Sequence, residues 1–137
     1  MQRYIEEIRQ LCNKTIYKYH DEPSSAIHRK MQSTLSYWAK SNGYPFQNEY
    51  VVDSRGDDSD RNGRIDFRVV IEGKVFLIEF DTTNKMKSVY KLLNNPADYR
   101  LWVRAINRSL IFFYYFQDID IKDIKIVPVE DWDKDSK

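Results

Sequence analysis

The stretch that most constrains this chain runs from Arg64 to Asn84 with its leading Gly63, GRIDFRVVIEGKVFLIEFDTTN. Ile65–Ile71 and Lys74–Asp81 are rich in β-branched and aromatic residues, and Glu72-Gly73 between them is a turn signal. A two-residue turn fixes the register. Ile71 faces Lys74, Val69 faces Phe76 and Phe67 faces Ile78. Because side chains alternate along a strand, Phe67, Val69, Phe76 and Ile78 with Phe80 make one apolar face. The opposite face is predicted to carry Asp66 directly across from Glu79, with Asp81 two residues on. Opposed side chains lie about 5 Å apart. At an effective dielectric near 20, two carboxylates at that range repel by about 3 kcal/mol. A divalent cation removes the penalty, since carboxylate oxygens are what Mg²⁺ takes as ligands. Arg64, opposite Asp81 in this register, and Arg68 are the alternative means of neutralising the acids.

An Asp opening one strand, a short hairpin, then Glu-x-x closing the next resembles the PD-(D/E)XK, restriction-endonuclease-like, nuclease superfamily. The matching residues are Asp66, Glu79 and, where the family motif has lysine, Asp81. The order of elements expected from about Ser24 to Val129 (helix, three strands, helix, strand) is similar too. The resemblance implies a Mg²⁺- or Mn²⁺-dependent endonuclease acting on DNA rather than RNA. Asp66, Glu79 and the main-chain carbonyl of Phe80 would hold the metal, with Asp81 as an added ligand. Some branches of the superfamily carry the lysine from a neighbouring element, and Lys85 or Lys87 is the candidate here. A single site cuts one strand, so double-strand cleavage would need a second copy or a partner subunit. The departure at Asp81 leaves open a non-catalytic DNA-binding or protein-interaction module on the same fold.

The chain has 137 residues and a formal net charge of +1. This length suits one domain with one core, and the charge gives no global pull toward nucleic acid or membrane. The single Cys12 excludes an internal disulfide and fits a reducing cytoplasm. No apolar run is long enough to span a bilayer, so no membrane is expected.

Residues 3–19 have helical apolar spacing: Tyr4, Ile5, Ile8, Leu11, Cys12, Thr15, Ile16 and Tyr19. This extra N-terminal helix (within 1–22) precedes the core, 24–129, and a frayed tail, 131–137. A second helix is expected over about Ser24–Lys40, with Ile27, Met31, Leu35, Trp38 and Ala39 inward and Gly43 at its C′ position. His28, Arg29, Lys30 and Gln32 fall off that stripe and read as a solvated face. A strand follows at about Gln47–Asp53. The loop Asp53–Arg64 holds Asp58-x-Asp60-x-Asn62-Gly63, half of a calcium-loop pattern that Asp66 could extend, so a calcium-stabilised domain is a further alternative.

After Asp81, a helix is expected over about Lys85–Leu93, restarting at Pro96 to about Asn107. Between residues 85 and 108 six basic residues stand against Asp98. Arg100, Arg104 and Arg108, four apart, would form one helical ridge and, with Lys87 and Lys91, contact a phosphate backbone. Leu110–Phe116 reads as a buried strand, Asp118–Asp123 as a helical turn and Ile124–Val129 as a last strand. The expected architecture is α/β (α+β): a mixed sheet of four to five strands flanked by helices.

Overall fold

The computed structural model describes residues 2–52, 63–81, 86–104 and 124–128. Two helices, α1 (Gln2–Tyr19) and α2 (Ser24–Ser41), precede a three-strand meander of β1 (Phe46–Val52), β2 (Gly63–Ile71) and β3 (Lys74–Asp81). Helix α3 (Met86–Leu93) leads to β4 (Tyr99–Arg104), and with β5 (Ile124–Pro128) the described strands form a five-stranded sheet in sequential order. The β1–β2 and β2–β3 pairs are antiparallel, and β3–β4 and β4–β5 are parallel, so the fold is mixed α+β on a mixed sheet.

The hairpin has the register that a two-residue turn dictates, from Ile71↔Lys74 to Phe67↔Ile78. Both turn residues have positive φ, Glu72 at 53° and Gly73 at 78°, the left-handed pair that matches strand twist. Glycine takes this conformation at no steric cost. Glu72 is held in it by the Tyr4 hydroxyl of α1, which donates to its Oε2 at 2.5 Å. At the end of α2, Gly43 (φ 75°) occupies the left-handed position, and the Tyr44 N–H reaches back to the Ala39 carbonyl at 2.8 Å.

Helices pack on both faces of the sheet. Ile5, Ile8, Cys12 and Ile16 of α1 and Ile27, Met31, Leu35 and Ala39 of α2 pack on Phe67, Val69, Phe76, Ile78 and Phe80. The apolar hairpin face expected from alternation is this buried face. Helix α1 is therefore part of the main core. Burial pushes the Cys12 thiol up to about 12, which keeps it protonated. On the other face, Val89 and Leu92 of α3 pack with Val52, Ile65, Leu77 and Trp102.

The region after α3 differs from expectation. No helix restarts at Pro96. Residues 99–104 form β4, paired to β3 from Phe76↔Tyr99 to Asp81↔Arg104. Leu101, Trp102 and Val103 are fully buried. An interior strand covered on both faces reads as a continuous apolar run, and over a short span that pattern also fits a helix. The arginine ridge is consequently absent as a helical feature. Arg100 and Arg104 lie on a strand, and Arg100 donates to the Leu92 carbonyl (Nε, 2.6 Å) and the Asn95 carbonyl (Nη2, 2.9 Å), closing the C-terminus of α3. Arg108, the expected strand Leu110–Phe116, the turn Asp118–Asp123, the tail, and Asp58, Asp60 and Asn62 lie outside the described residues. Among those described, no helix is long and apolar enough to cross a membrane.

Candidate functional site

The site is built where the alternation of two strands breaks. On β1, Phe46 packs into the α1/α2 core and Asn48 donates to Ser36 of α2, yet Tyr50 and Val52 belong to the α3 face. On β2, Phe67, Val69 and Ile71 face α1/α2, yet Ile65 faces α3. Both strands change parity in one row, between the pairs Asn48↔Phe67 and Tyr50↔Ile65. Glu49 and Asp66 occupy that row. Glu49 has φ 51°, a left-handed conformation that a non-glycine residue adopts only when its surroundings impose it. An irregularity of this kind re-aims side chains, as bulges beside active sites do.

The re-aimed groups converge on α2. His28 Nε2 lies 2.9 Å from Asp66 Oδ1. Gln32 Nε2 donates to Glu49 Oε2 at 2.6 Å and to the Asp66 carbonyl at 2.9 Å. His28, Glu49 and Asp66 each offer a ligand atom, all within 4.8 Å of one another. Imidazole and two carboxylates from three elements form a donor set suited to a divalent cation.

On the other side of Asp66 the hairpin parts. Pairing stops at Phe67↔Ile78, and carboxylates fill the gap. Asp66 Oδ2 accepts from the Phe80 N–H at 2.8 Å, and Glu79 Oε2 accepts from the Asp66 N–H at 3.0 Å. Glu79 Oε1 lies 3.2 Å from Lys91 Nζ, which also donates to the Arg64 carbonyl at 2.8 Å. Asp81 Oδ2 accepts from the Trp102 indole at 2.6 Å. Among the described residues Arg64 makes no ion pair with Asp81.

Asp66, Glu79 and Asp81 are all buried, Glu79 to 2% exposure. They do not share one face as strict alternation requires. Asp66 turns toward α2 and Glu79 toward α3, while Asp81 accepts from the Trp102 indole and also borders the cleft beside α2. Separation onto two sides, with a backbone N–H on each of the Asp66 and Glu79 carboxylates, is how the sheet tolerates the acids. Their repulsion persists in the protonation equilibria. Burial first, and then the Asp66 charge, push the Glu79 carboxyl up to about 8, although Lys91 pulls the other way. The hydrogen bond that its ring donates to Asp66 holds His28 above its ordinary value.

A cleft of about 280 Å³ opens beside the row on the α2 side, lined by Ser24, Ser25, His28, Met31, Phe80 and Asp81. The His28 ring stands edge-on to Phe80, with centroids 5.6 Å apart.

The structure thus brings together Asp66, Glu79, the Phe80 backbone and Asp81. It does not bring Lys87 to them. That residue is exposed and touches none of the carboxylates among the described residues, and Lys85 lies outside these. The cation at the acids is Lys91, read from sequence only as a phosphate contact. His28 and Gln32 are corrections to the solvated face expected for α2, whereas Arg29 and Lys30 are exposed as expected. One signal was available: His28 and Gln32 are four apart, on one line of the helix. Glu49 left none. Set against known protein families, curated proteins and solved structures, the chain finds no match in any of the three.

Proposed function

We propose that this chain is a metal-dependent hydrolase of nucleic-acid phosphodiester bonds, DNA first, on a restriction-endonuclease-like core. The observation that carries the reading is the buried pair Asp66 and Glu79, on the two sides of the gap where β2 and β3 part, with an ammonium group 3.2 Å from the glutamate. The order α2, β1, β2, β3, α3, β4 supports it, being the helix, three strands, helix and strand that the resemblance implies.

His28, Glu49 and Asp66 would hold Mg²⁺ or Mn²⁺, with the imidazole favouring Mn²⁺. A bound cation supplies Lewis acidity toward a phosphate oxygen and lowers the pKa of a water ligand. The chain's own groups do the rest. Gln32 fixes Glu49 and the Asp66 main chain, and Phe80 N–H fixes the Asp66 carboxylate. Glu79, with a carboxyl pKa near neutrality, can take up and release a proton. Lys91, reaching Glu79 from the α3 side of the gap between β2 and β3, would supply positive charge toward a phosphoryl group held at that gap.

A non-catalytic module on the same core is the second reading. It is favoured by the fact that both Glu79 oxygens already have partners, as in a purely structural network.

Thermal melts with added metal, run beside cleavage assays on labelled DNA, separate the two. We expect Mn²⁺, and more weakly Mg²⁺, to raise Tm by several degrees, since ligand at about 100 times Kd adds about 2.7 kcal/mol. Asp66→Asn and His28→Ala are each expected to abolish the shift. A wild-type protein whose Tm ignores both metals ends the metal-site reading. One that binds metal and cuts neither DNA nor RNA is the module.

A further inference from the structure

Among the described residues, α3 covers only part of its face of the sheet. Helix α3 packs over β3 and β4, and beside it a groove of about 550 Å³ lies between β1, β2 and the turn that follows α3. Its floor and walls include Tyr50, Val52, Arg68, Pro96 and Ala97, and Asp98 closes one end.

Arg68 is the informative residue. It is half-buried, and its guanidinium lies 5.0 Å above the centre of the Tyr50 ring. Among the described residues it has no carboxylate partner and no hydrogen bond. A stacked guanidinium keeps its donors at the rim, and here that rim faces the groove. Asp98 is fixed at the other end, where its Oδ2 accepts from the Val75 N–H at 2.8 Å. Apart from Asn95, the remaining lining residues are apolar or aromatic. A cation, flat apolar walls and a separate acceptor complement the phosphate, ring face and exocyclic N–H groups of one nucleotide. The volume is that of a small-ligand site. A base pair with both of its backbones does not enter it.

None of the site's acids lines the groove, but it lies close to them along the chain. Arg68 follows Asp66 by two residues, about 6.6 Å along β2. Its rim residue Asn95 is one helical step of four after Lys91, whose ammonium meets Glu79. Glu79 and the groove share the α3 side of the sheet.

We infer that this groove is a subsite for one unpaired nucleotide, with Arg68 on its phosphate and its base against Tyr50, so that the chain acts on single-stranded nucleic acid. The inference rests on the reading of the site as one that acts on nucleic acid.

The test is fluorescence anisotropy of the full chain with a labelled oligodeoxycytidylate of about a dozen nucleotides, whose bases carry the exocyclic N–H groups, against a blunt duplex, in EDTA so that nothing is cut. The wild type is expected to bind the single strand more tightly than the duplex. Arg68→Ala and Arg68→Gln should each weaken binding by at least about tenfold and lower the salt slope by about 0.7. Tyr50→Leu should weaken it comparably with the slope unchanged. Arg68→Gln keeps the side-chain stem, and melts of each variant separate lost binding from lost folding. The subsite is overturned if the wild type binds no single strand, prefers duplex, or binds equally after both Arg68 substitutions. Failure of the nuclease reading looks different: binding would remain sensitive to Arg68, and cleavage with Mn²⁺ or Mg²⁺ would be absent.

Discussion

Lys91→Ala is expected to lower metal-dependent cleavage by roughly 10²–10³-fold, the usual cost of removing one fixed electrostatic group from a site, while the metal-induced rise in Tm persists. Among the described residues, Lys91 is the lysine that reaches the acids, with Nζ 3.2 Å from Glu79 Oε1. Its side chain is only 15% exposed, and the Arg64 carbonyl fixes the ammonium from a second direction at 2.8 Å. It lies on α3, whose Val89 and Leu92 are buried against the sheet, so the charge sits on a rigid support. None of its contacts involves His28, Glu49 or the Asp66 carboxylate, so metal affinity should survive. Lys87→Ala, on the exposed side of the same helix, should cleave as the wild type does. A purely structural Lys91 would show itself in the pH–rate profile. Removing the ammonium should push the Glu79 carboxyl higher still and move the profile's limb upward with it. Cleavage by Lys91→Ala at the wild-type rate, with an unmoved profile, would sink the assignment.

Much of this arrangement was legible in the sequence, and the failures have physical causes. The hairpin register followed from Glu72-Gly73 and two β-branched runs, because a two-residue loop leaves one pairing. Helices α1 and α2 followed from apolar residues three and four apart. The helix expected after Pro96 failed at Leu101-Trp102-Val103, since a strand with two covered faces loses the period of two that would identify it. The site itself was half visible. Asp66 and Glu79 were found by register, but placing them on one face assumed unbroken alternation. Glu49 breaks it with a left-handed backbone, and nothing in a glutamate announces that conformation; a glycine there would have. His28 went unread for the same reason. Its value depends on Asp66 turning toward α2, and that turn is a property of the paired strands rather than of either segment. The lysine was sought close after Asp81 along the chain, whereas α3 delivers one from its last turn.

In EDTA the protein is expected to lose stability as pH rises from about 4.5 to about 8, and Glu79→Gln to abolish most of that loss. Burial and the neighbouring Asp66 hold the Glu79 carboxyl at about 8 in the folded chain, against an ordinary 4.5. The pKa is raised on folding, so the sign is fixed. Below the unfolded value both states carry the proton, and no penalty exists. Between the two values the unfolded chain releases a proton that the folded chain keeps, so stability falls with pH. Above the folded value the carboxylate is ionised in both states and the loss is complete. His28 acts in the same direction. Its pKa is also raised, chiefly by the hydrogen bond to Asp66, so its contribution is full below about 6.5 and fades as pH rises through the folded value. The Lys91 charge opposes the effect on Glu79 without reversing it, because desolvation of a carboxylate 2% exposed outweighs one ion pair. The glutamine keeps an acceptor for the Asp66 N–H and cannot ionise. At pH 8 the variant should therefore be more stable than the wild type by on the order of a few kcal/mol, and near pH 5 equal to it or slightly less stable, since an amide faces Lys91. Urea melts across this range measure both curves. Wild-type stability that climbs with pH, or a variant destabilised at pH 8, would mean that Glu79 is ionised on folding and bound to Lys91 as an ordinary buried pair.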